Sequence, residues 1–358
     1  MKTYQCQCGT RLHFENSLCL SCQHELGFLP DDRVLSTLSP ESKGVWRAYS
    51  NDRLYRKCNN YARHRVCNWM VPIEDDHEFC FSCRLSQIIP DLSKPENILL
   101  WRRIEQAKRR LLYSLMWFEL PIIDRKQDPE HGLAFHLKED QGYSEFAQLK
   151  PMSKRVITGH ACGIITLNIA EADPVFRERH RTRMQENYRT LLGHFRHESA
   201  HYYWDLLLRN SNLLGDFRAL FGDEREDYDA ALSRYYENGP QANWEFSWIS
   251  AYASAHPWED WAETWAHYLH MVDTLETASD YGFELDNCDD NPVRHQQFHA
   301  EYLASISIQH LANEWSDLSV ALNDLNRSMG LADAYPFVLS DTITEKLAFV
   351  HRVITRRY

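Results

Sequence analysis

The chain has 358 residues, 44% of them hydrophobic and 13% aromatic, so it can bury a sizeable core and is not a disordered protein. Its formal net charge of −12 at pH 7 disfavours long-range attraction to nucleic acid or to anionic lipid. The sequence shows no apolar stretch long enough for a membrane helix or a signal peptide. We therefore expect a cytoplasmic protein, and its length favours two or three domains.

Eight of the ten cysteines crowd into the first 83 residues in closely spaced pairs. Because no export signal accompanies them, metal binding explains them better than disulfides. They form two sets, which are Cys6, Cys8, Cys19 and Cys22, and then Cys58, Cys67, Cys80 and Cys83. The CxxC pairs at 19/22 and 80/83 are strong signals for tetrahedral zinc.

We favour sequential pairing, with two closed four-cysteine zinc sites that stabilise a module over residues 1–90. An interleaved ribbon, in which the pair 19/22 joins the pair 80/83, stays open. The remaining thiols, Cys162 and Cys288, stand alone and are predicted to be buried and inert.

A proline-containing linker at 90–97 precedes a predicted helix over 98–120. Apolar residues recur there at helical spacing against a basic face, which we expect to be solvated. Residues 134–172 are rich in β-branched side chains, which predicts a small sheet. Beyond residue 176 almost every pattern is helical, including the runs around 186–208 and 257–275. A sheet followed by helices, without alternation, indicates an α+β domain over 91–358 that is mostly helical.

The most informative motif is His197-Glu198-Ser199-Ala200-His201, inside one of these helices. Two imidazoles four residues apart lie on one face of a helix and can reach a single tetrahedral metal ion. The intervening Glu198 lies to one side, where it can act on a water molecule without binding the metal. Taken alone, each histidine is explained better by an ordinary hydrogen-bonded position in a helix.

A third element follows about 60 residues later in the run PWEDWAE. Pro257 suits the first turn of a helix, which places Glu259 and Glu263 one turn apart on the same face. Glu259 can then supply a third metal ligand, and Glu263 can accept the free N–H of a ligating histidine. The alternative is that these acids complement the helix dipole, which is the role we expect for Asp260.

The motifs HESAH and EDWAE together resemble the gluzincins, zinc peptidases in which a later glutamate completes the HExxH site. The runs YRTLLGHFRHESAHYYW and SAYASAHPWEDWAETWAHYL further resemble a bacterial family of zinc-binding metallopeptidases with an N-terminal zinc ribbon. This resemblance spans nearly the whole chain. It implies a zincin-like domain with a catalytic zinc bound by His197, His201 and Glu259, and Glu198 as general base. Ala200 stands where a glycine is frequent, which concerns packing more than chemistry.

The resemblance also implies a stabiliser for the oxyanion of the transition state. Tyr252 lies seven residues before Glu259, the spacing of the catalytic tyrosine in toxin-type gluzincins such as lethal factor. His256, Tyr235 and Tyr236 are alternatives, and packing in the core explains Tyr252 equally well. The run 163–172 is a candidate edge strand for an extended peptide, or else an internal strand.

Together these features predict a zinc-dependent hydrolase of peptide bonds with one catalytic and two structural zinc ions. We expect a peptide or protein substrate, no membrane association and no preference for nucleic acid, although the ribbon can bind a protein partner. A hydrolase of a non-peptide amide and a non-catalytic, zinc-stabilised interaction protein are the alternatives.

Overall fold

The computed structural model of the protein describes residues 2–140, 156–183, 186, 188–283 and 299–356. These residues form an α+β structure in which helices predominate and the sheets are small, which confirms the predicted fold class. They divide into two compact units, one of Met1–Tyr113 with Ile122–Thr182 and one of Ser114–Pro121 with Arg183–Tyr358. The domain boundary at residue 90 stays a prediction. None of the helices in these ranges has the length and apolar character to cross a bilayer.

The cysteine-rich part of the first unit is mainly β-structure. Its strands are β1 (Tyr4–Gln5), β2 (Arg11–Leu12), β3 (Glu25–Leu29), β4 (Val34–Ser42), β5 (Val45–Ala48), β6 (Leu54–Lys57) and β7 (Met70–Pro72). Strands β3 to β7 pair antiparallel in chain order, and β1 pairs with β2. The link between β4 and β5 has only two residues, and Gly44 takes the positive φ of +80° that such a tight hairpin requires. Two short helices, α1 (Asn59–His64) and α2 (Phe81–Arg84), each begin directly after a cysteine.

A second, four-stranded sheet contains the β-rich segment that the sequence predicted. Its strands are β8 (Ser86–Ile88), β9 (Ala134–Lys138), β10 (Gly159–Ala161) and β11 (Ile164–Asn168). In the order β10-β11-β9-β8, β11 pairs antiparallel with β10 and parallel with β9. The candidate edge strand within 163–172 is therefore an internal strand, since pairing on both sides occupies its main-chain groups.

Of the two isolated cysteines, Cys162 lies in this sheet region and is described by the structure. Cys162 is exposed, in the turn between β10 and β11, so the prediction of a buried thiol is wrong for it. It takes a positive φ of 48° there, a backbone conformation that belongs to a tight turn and not to a strand. Cys288 lies outside the described residues.

Helix α3 (Pro95–Trp117) corresponds to the helix predicted over 98–120. Its basic side is not uniformly solvated, because Lys108 and Arg109 are 0% and 2% exposed. Lys108 forms a fully buried ion pair of 2.8 Å with Glu105. The Nη1 of Arg109 donates to the Val66 carbonyl oxygen at 2.8 Å. The expectation of a solvated face is therefore wrong at these two positions, because both side chains are buried inside the unit and, among the described residues, only the charge of Lys108 has a carboxylate partner.

The remaining helices complete the helical part of the fold. They are α4 (Pro174–Arg183), α5 (Leu191–Tyr203), α6 (Leu214–Phe221), α7 (Tyr228–Asn238), α8 (Pro257–Asp280), α9 (Ala300–Ser305), α10 (Ile308–Ser328) and α11 (Asp341–Thr355). Helix α5 begins later than the periodicity suggests because the Thr190 hydroxyl accepts from the Gly193 N–H at 3.0 Å, which caps the helix there. It continues into a π-helical turn over Trp204–Leu208.

Helices α5 and α8 pack together in the second unit and hold each other in register. The indole N–H of Trp261 donates to the Ala200 carbonyl oxygen at 2.8 Å, and the Ala200 side chain is completely buried. Arg196 on α5 forms a buried ion pair with Asp273 on α8. Removal of one partner of such a buried pair costs about 3–5 kcal/mol, because the other charge is left without compensation.

Asp260, in the first turn of α8, does more than complement the helix dipole. It is fully buried and accepts a hydrogen bond from Lys346 of α11 at 2.6 Å. The interpretation of Asp260 as a simple dipole residue is therefore wrong, because it anchors a neighbouring helix.

His267 makes the stability of this unit sensitive to acid. Burial lowers its pKa from 6.5 to about 4, against the opposing effect of Glu263, and its Nδ1 is hydrogen-bonded to the Tyr335 hydroxyl at 2.7 Å. The folded protein thus binds fewer protons than the unfolded chain between pH 6.5 and 4. The stability contributed by neutral His267 is present above pH 6.5 and is lost as the pH falls towards 4, by about 3 kcal/mol in total.

Replacement of His267 by glutamine is expected to flatten this dependence. Urea unfolding of H267Q and of the wild type at pH 7, 6 and 5 measures the free energy of unfolding of each protein. Any loss of metal in acid affects both proteins, so it cancels in the difference between them. Parallel pH profiles for the two proteins would contradict the assignment.

Candidate metal centre

Helix α5 presents His197 and His201 on one face. The helix is regular across the motif, so the two imidazoles lie one turn apart, with ring centroids separated by 5.1 Å. Glu198 lies on the turn between them and is only 8% exposed. The helical geometry expected from the motif is therefore present.

Helix α8 brings a carboxylate to the two imidazoles. His256 caps this helix by accepting from the Trp258 N–H at 3.0 Å, and Pro257 occupies its first turn. Glu259 follows and is 1% exposed, with Oε2 at 3.0 Å from His197 Nε2 and Oε1 at 3.7 Å from His201 Nε2. Each of the three residues offers one ligand atom, and these atoms lie within 4.8 Å of one another.

The chemistry of this donor set fits a zinc ion. Two imidazole nitrogens and one carboxylate oxygen are a usual ligand set for zinc that keeps a coordination position open. Glu259 Oε2 is buried and has no well-aligned hydrogen bond in the described part of the chain, although it lies 3.0 Å from His197 Nε2. A cation bound by both atoms would explain this arrangement. The three residues therefore suit a divalent metal as their partner.

The charges at the centre respond to each other strongly. Burial raises the pKa of the Glu259 carboxyl, but His201 and His197 outweigh this and lower the pKa to about 2. For His197 the effects have the opposite signs. Burial lowers the pKa of its imidazole, but Glu259 and Glu263 raise it well above its ordinary value. A proton on His197 thus balances the carboxylates in the metal-free protein, and metal binding must release it.

Glu263 orients one of the imidazoles from behind. Its Oε1 lies 2.7 Å from His197 Nδ1, and its Oε2 accepts from the Ser250 hydroxyl at 2.6 Å. In the metal-bound centre this contact would keep a proton on Nδ1 and leave Nε2 of His197 free to bind the metal.

Glu198 has a different environment from the other acids of the centre. Burial raises its pKa to about 7, with Glu259 adding to the effect and His197 opposing it. A carboxyl group with a pKa close to neutrality can both accept and return a proton at physiological pH.

The tyrosines and the histidine that the sequence suggested as oxyanion donors differ in position. The ring of Tyr252 lies 6.0 Å from the His197 ring, and burial raises the pKa of its phenol. Tyr235 packs against Tyr252 at 5.7 Å, and Tyr236 is 56% exposed. His256 does not face the centre as a donor, because Nδ1 receives the Trp258 N–H and Nε2 lies 3.2 Å from the Glu226 carbonyl oxygen.

Tyr228, the first residue of α7, is a member of the site that the sequence motifs did not indicate. Its hydroxyl donates to Glu259 Oε1 at 2.6 Å. Asp227 caps α7 by accepting from the Ala230 N–H at 2.9 Å, a helix start that the sequence can reveal. The direction of the Tyr228 phenol depends on how α7 packs, so the sequence carries no signal for the contact with Glu259.

The cysteines of the first unit come together in the sequential sets and not in the interleaved arrangement. In the first set, the sulfur atoms of Cys6 and Cys22 lie 3.5 Å apart and those of Cys8 and Cys19 lie 3.7 Å apart. In the second set all four cysteines are buried, whereas Cys8 of the first set is exposed. Both clusters have the closed, all-thiol composition of structural zinc sites.

Replacement of Cys83 by serine is expected to remove one zinc ion and to lower the melting temperature by about 10 °C, because binding of a structural zinc contributes folding free energy. Elemental analysis combined with thermal unfolding tests this. Cys162→Ser is the matched control, because Cys162 is exposed and belongs to neither cluster. An unchanged zinc content in C83S would contradict a zinc site there.

Comparison with known proteins places these features in a family. The family model described as "Putative zinc-binding metallo-peptidase" matches residues 97–353, and a zinc-ribbon domain model matches residues 3–94. Uncharacterized proteins of Mycobacterium bovis and of two strains of Mycobacterium tuberculosis are 41% identical over 356 residues, which cover 99% of this chain and 95% of each relative. No solved structure matches the chain. The family names and the cysteine clusters support zinc binding. The two family models confirm the resemblance to zinc-binding metallopeptidases with an N-terminal zinc ribbon, and the gluzincin type stays a prediction.

Proposed function

Because the chain belongs to this family of zinc-binding metallopeptidases with an N-terminal zinc ribbon, we propose that it hydrolyses peptide bonds at a zinc ion held by His197, His201 and Glu259. The observation that carries the proposal is the convergence of these three ligand atoms beside a buried acid that is not one of them. Such a gluzincin-like site combines a metal with three protein ligands and a general base.

Zinc bound there would supply Lewis-acid chemistry, which polarises a carbonyl group and lowers the pKa of water towards neutrality. The chain's own residues do the rest. Glu198 takes a proton from the attacking water and passes it to the leaving amine. Its buried position, with a pKa raised to about 7, suits both transfers. Glu263 keeps the His197 ring oriented through its contact with Nδ1.

Two tyrosines contact residues of the site. Tyr228 donates to Glu259 Oε1, which favours Oε2 as the oxygen that binds the metal. Tyr252 lies beside the His197 ring, where its phenol is available to stabilise an oxyanion. Of the candidates from the sequence, Tyr252 is thus the preferred donor, because the ring nitrogens of His256 are occupied elsewhere.

The two cysteine clusters are proposed to hold structural zinc ions, which brings the total to three. A peptide or protein substrate, a protein partner for the ribbon and the cytoplasmic location stay predictions.

A hydrolase of a non-peptide amide would use the same residues, and only the substrate separates it from the leading proposal. A non-catalytic zinc site is disfavoured by Glu198. Burial that raises the pKa of a carboxyl group to about 7 costs stability, and a structural zinc site has no need of that group.

Incubation of zinc-loaded protein with peptide libraries prepared from bacterial lysates tests the proposal. Mass spectrometry should detect new peptide termini that disappear with a chelator and return with added zinc. A metal-loaded protein that cleaves no peptide would favour the non-peptide amide or the interaction protein.

A further inference from the structure

Arg109 is a cation in an enclosed position within the first unit. Its side chain is 2% exposed, and the one hydrogen bond of its guanidinium group among the described residues goes from Nη1 to the Val66 carbonyl oxygen at 2.8 Å. Its Nε is buried without an acceptor in that part of the chain. No carboxylate of the described residues lies within ion-pair distance of Arg109, whereas the neighbouring Lys108 is neutralised by Glu105.

The groups around Arg109 identify what it faces. Burial lowers the pKa of the guanidinium group, but neighbouring groups that can carry a negative charge raise it by more. Those neighbours are Cys67, Glu105, Cys83 and Cys80. Three of them belong to the second cysteine cluster, and the peptide that accepts from Nη1 directly precedes Cys67.

Four protonated thiols cannot neutralise a buried guanidinium group. A protonated thiol carries no charge that could offset the guanidinium group, and an unpaired buried charge is strongly destabilising. Zinc bound by four thiolates carries a net charge of −2, because four negative sulfur atoms surround one divalent cation. Such a charge would compensate Arg109, and it would itself need compensation in a site with almost no access to water.

We propose that Arg109 is the buried counter-ion of the zinc site formed by Cys58, Cys67, Cys80 and Cys83. It neutralises half of the excess negative charge, and its Nε–H is available to donate to a thiolate sulfur. The metal and helix α3 therefore stabilise each other. This assignment does not depend on the peptidase proposal.

The other cysteine cluster provides a natural comparison. Cys8 is exposed and Cys22 is half-buried, so water reaches that site and can screen its charge. The cysteines of the second cluster are at most 4% exposed. The need for a protein counter-ion is accordingly concentrated at the second cluster.

Site-resolved thiol alkylation in the full-length zinc protein tests the proposal. After addition of a chelator, mass spectrometry follows modification at each cysteine, so the first cluster is an internal control in the same molecule. In R109M, alkylation of the second cluster is expected to be about 10–100-fold faster than in the wild type, with the first cluster unchanged. R109K retains the charge and is expected to stay within about threefold of the wild-type rate.

Arg110→Met is the matched control, since it removes the same charge one residue further along α3, from a side chain that is 44% exposed and paired with Glu15. Its second cluster should react at the wild-type rate. An unchanged rate in R109M, or equal acceleration in R109M and R109K, would overturn the counter-ion role. If R109M does not fold, R109Q is compared with R109K, and protection by lysine but not by glutamine supports the proposal, whereas equal rates refute it.

Discussion

Replacement of Glu198 by glutamine is expected to lower the rate of peptide hydrolysis about 1000-fold or more while the zinc content stays at the wild-type value. Glutamine has nearly the same shape as glutamate and can occupy the same buried position on α5, but it cannot accept the proton of the attacking water. Because Glu198 is not one of the three converging ligand residues, the metal should remain bound. Peptide cleavage assays and metal analysis on the same preparation measure both properties.

Glu301→Gln is the control for this experiment, because it makes the same chemical change at an exposed position of α9 and should change neither property. The pH profile adds a second test. Burial raises the pKa of Glu198 to about 7 in the metal-free centre, and a nearby divalent cation favours the charged carboxylate. We therefore expect kcat/KM of the wild type to fall with acid below pH 7. Full activity in E198Q with its zinc retained would exclude Glu198 as the base.

The parts of the centre that could be predicted from the sequence are those fixed by local geometry. Helical periodicity places His197 and His201 one turn apart on the same face. Pro257 indicates where the helix that carries Glu259 and Glu263 begins. The α+β class follows in the same way from a change in pattern along the chain. These features depend on neighbours within one or two helical turns.

The parts that could not be predicted depend on residues distant in the chain. Tyr228 reaches Glu259 only because of the path that α7 takes after its capped start. Strand β11 is internal because β9, some 30 residues upstream, pairs along its second side. Arg109 lies on a helix whose pattern indicates a polar face, yet whether a cation on that face is solvated depends on the cysteines around it. Amphipathic pattern thus predicts which residues share a face, but not what covers it.

Replacement of Glu259 by alanine is the second change for which we expect a large effect. It removes one of three ligand atoms, and no other side chain among the described residues replaces a residue that is only 1% exposed. The bound zinc should therefore fall from three ions to two, and hydrolysis should be lost. The substitution Y228F removes only the Tyr228 hydroxyl, so Glu259 keeps its carboxylate and loses one hydrogen bond. It should therefore weaken zinc binding by a smaller factor, about 10–100-fold.

The effect of E259A on the melting temperature distinguishes a catalytic zinc centre from a purely structural one. If the zinc held by His197, His201 and Glu259 served the fold, E259A should lower the melting temperature as much as C83S, because both would remove a structural metal. For an open, catalytic site on two helices already joined by Trp261 and the Arg196–Asp273 pair, we expect E259A to lose activity with a much smaller change in melting temperature. Titration of the apo-protein variants with zinc, together with thermal unfolding, distinguishes the two cases. Equal destabilisation by E259A and C83S would indicate that the metal contributes to folding and would favour the non-catalytic interaction protein.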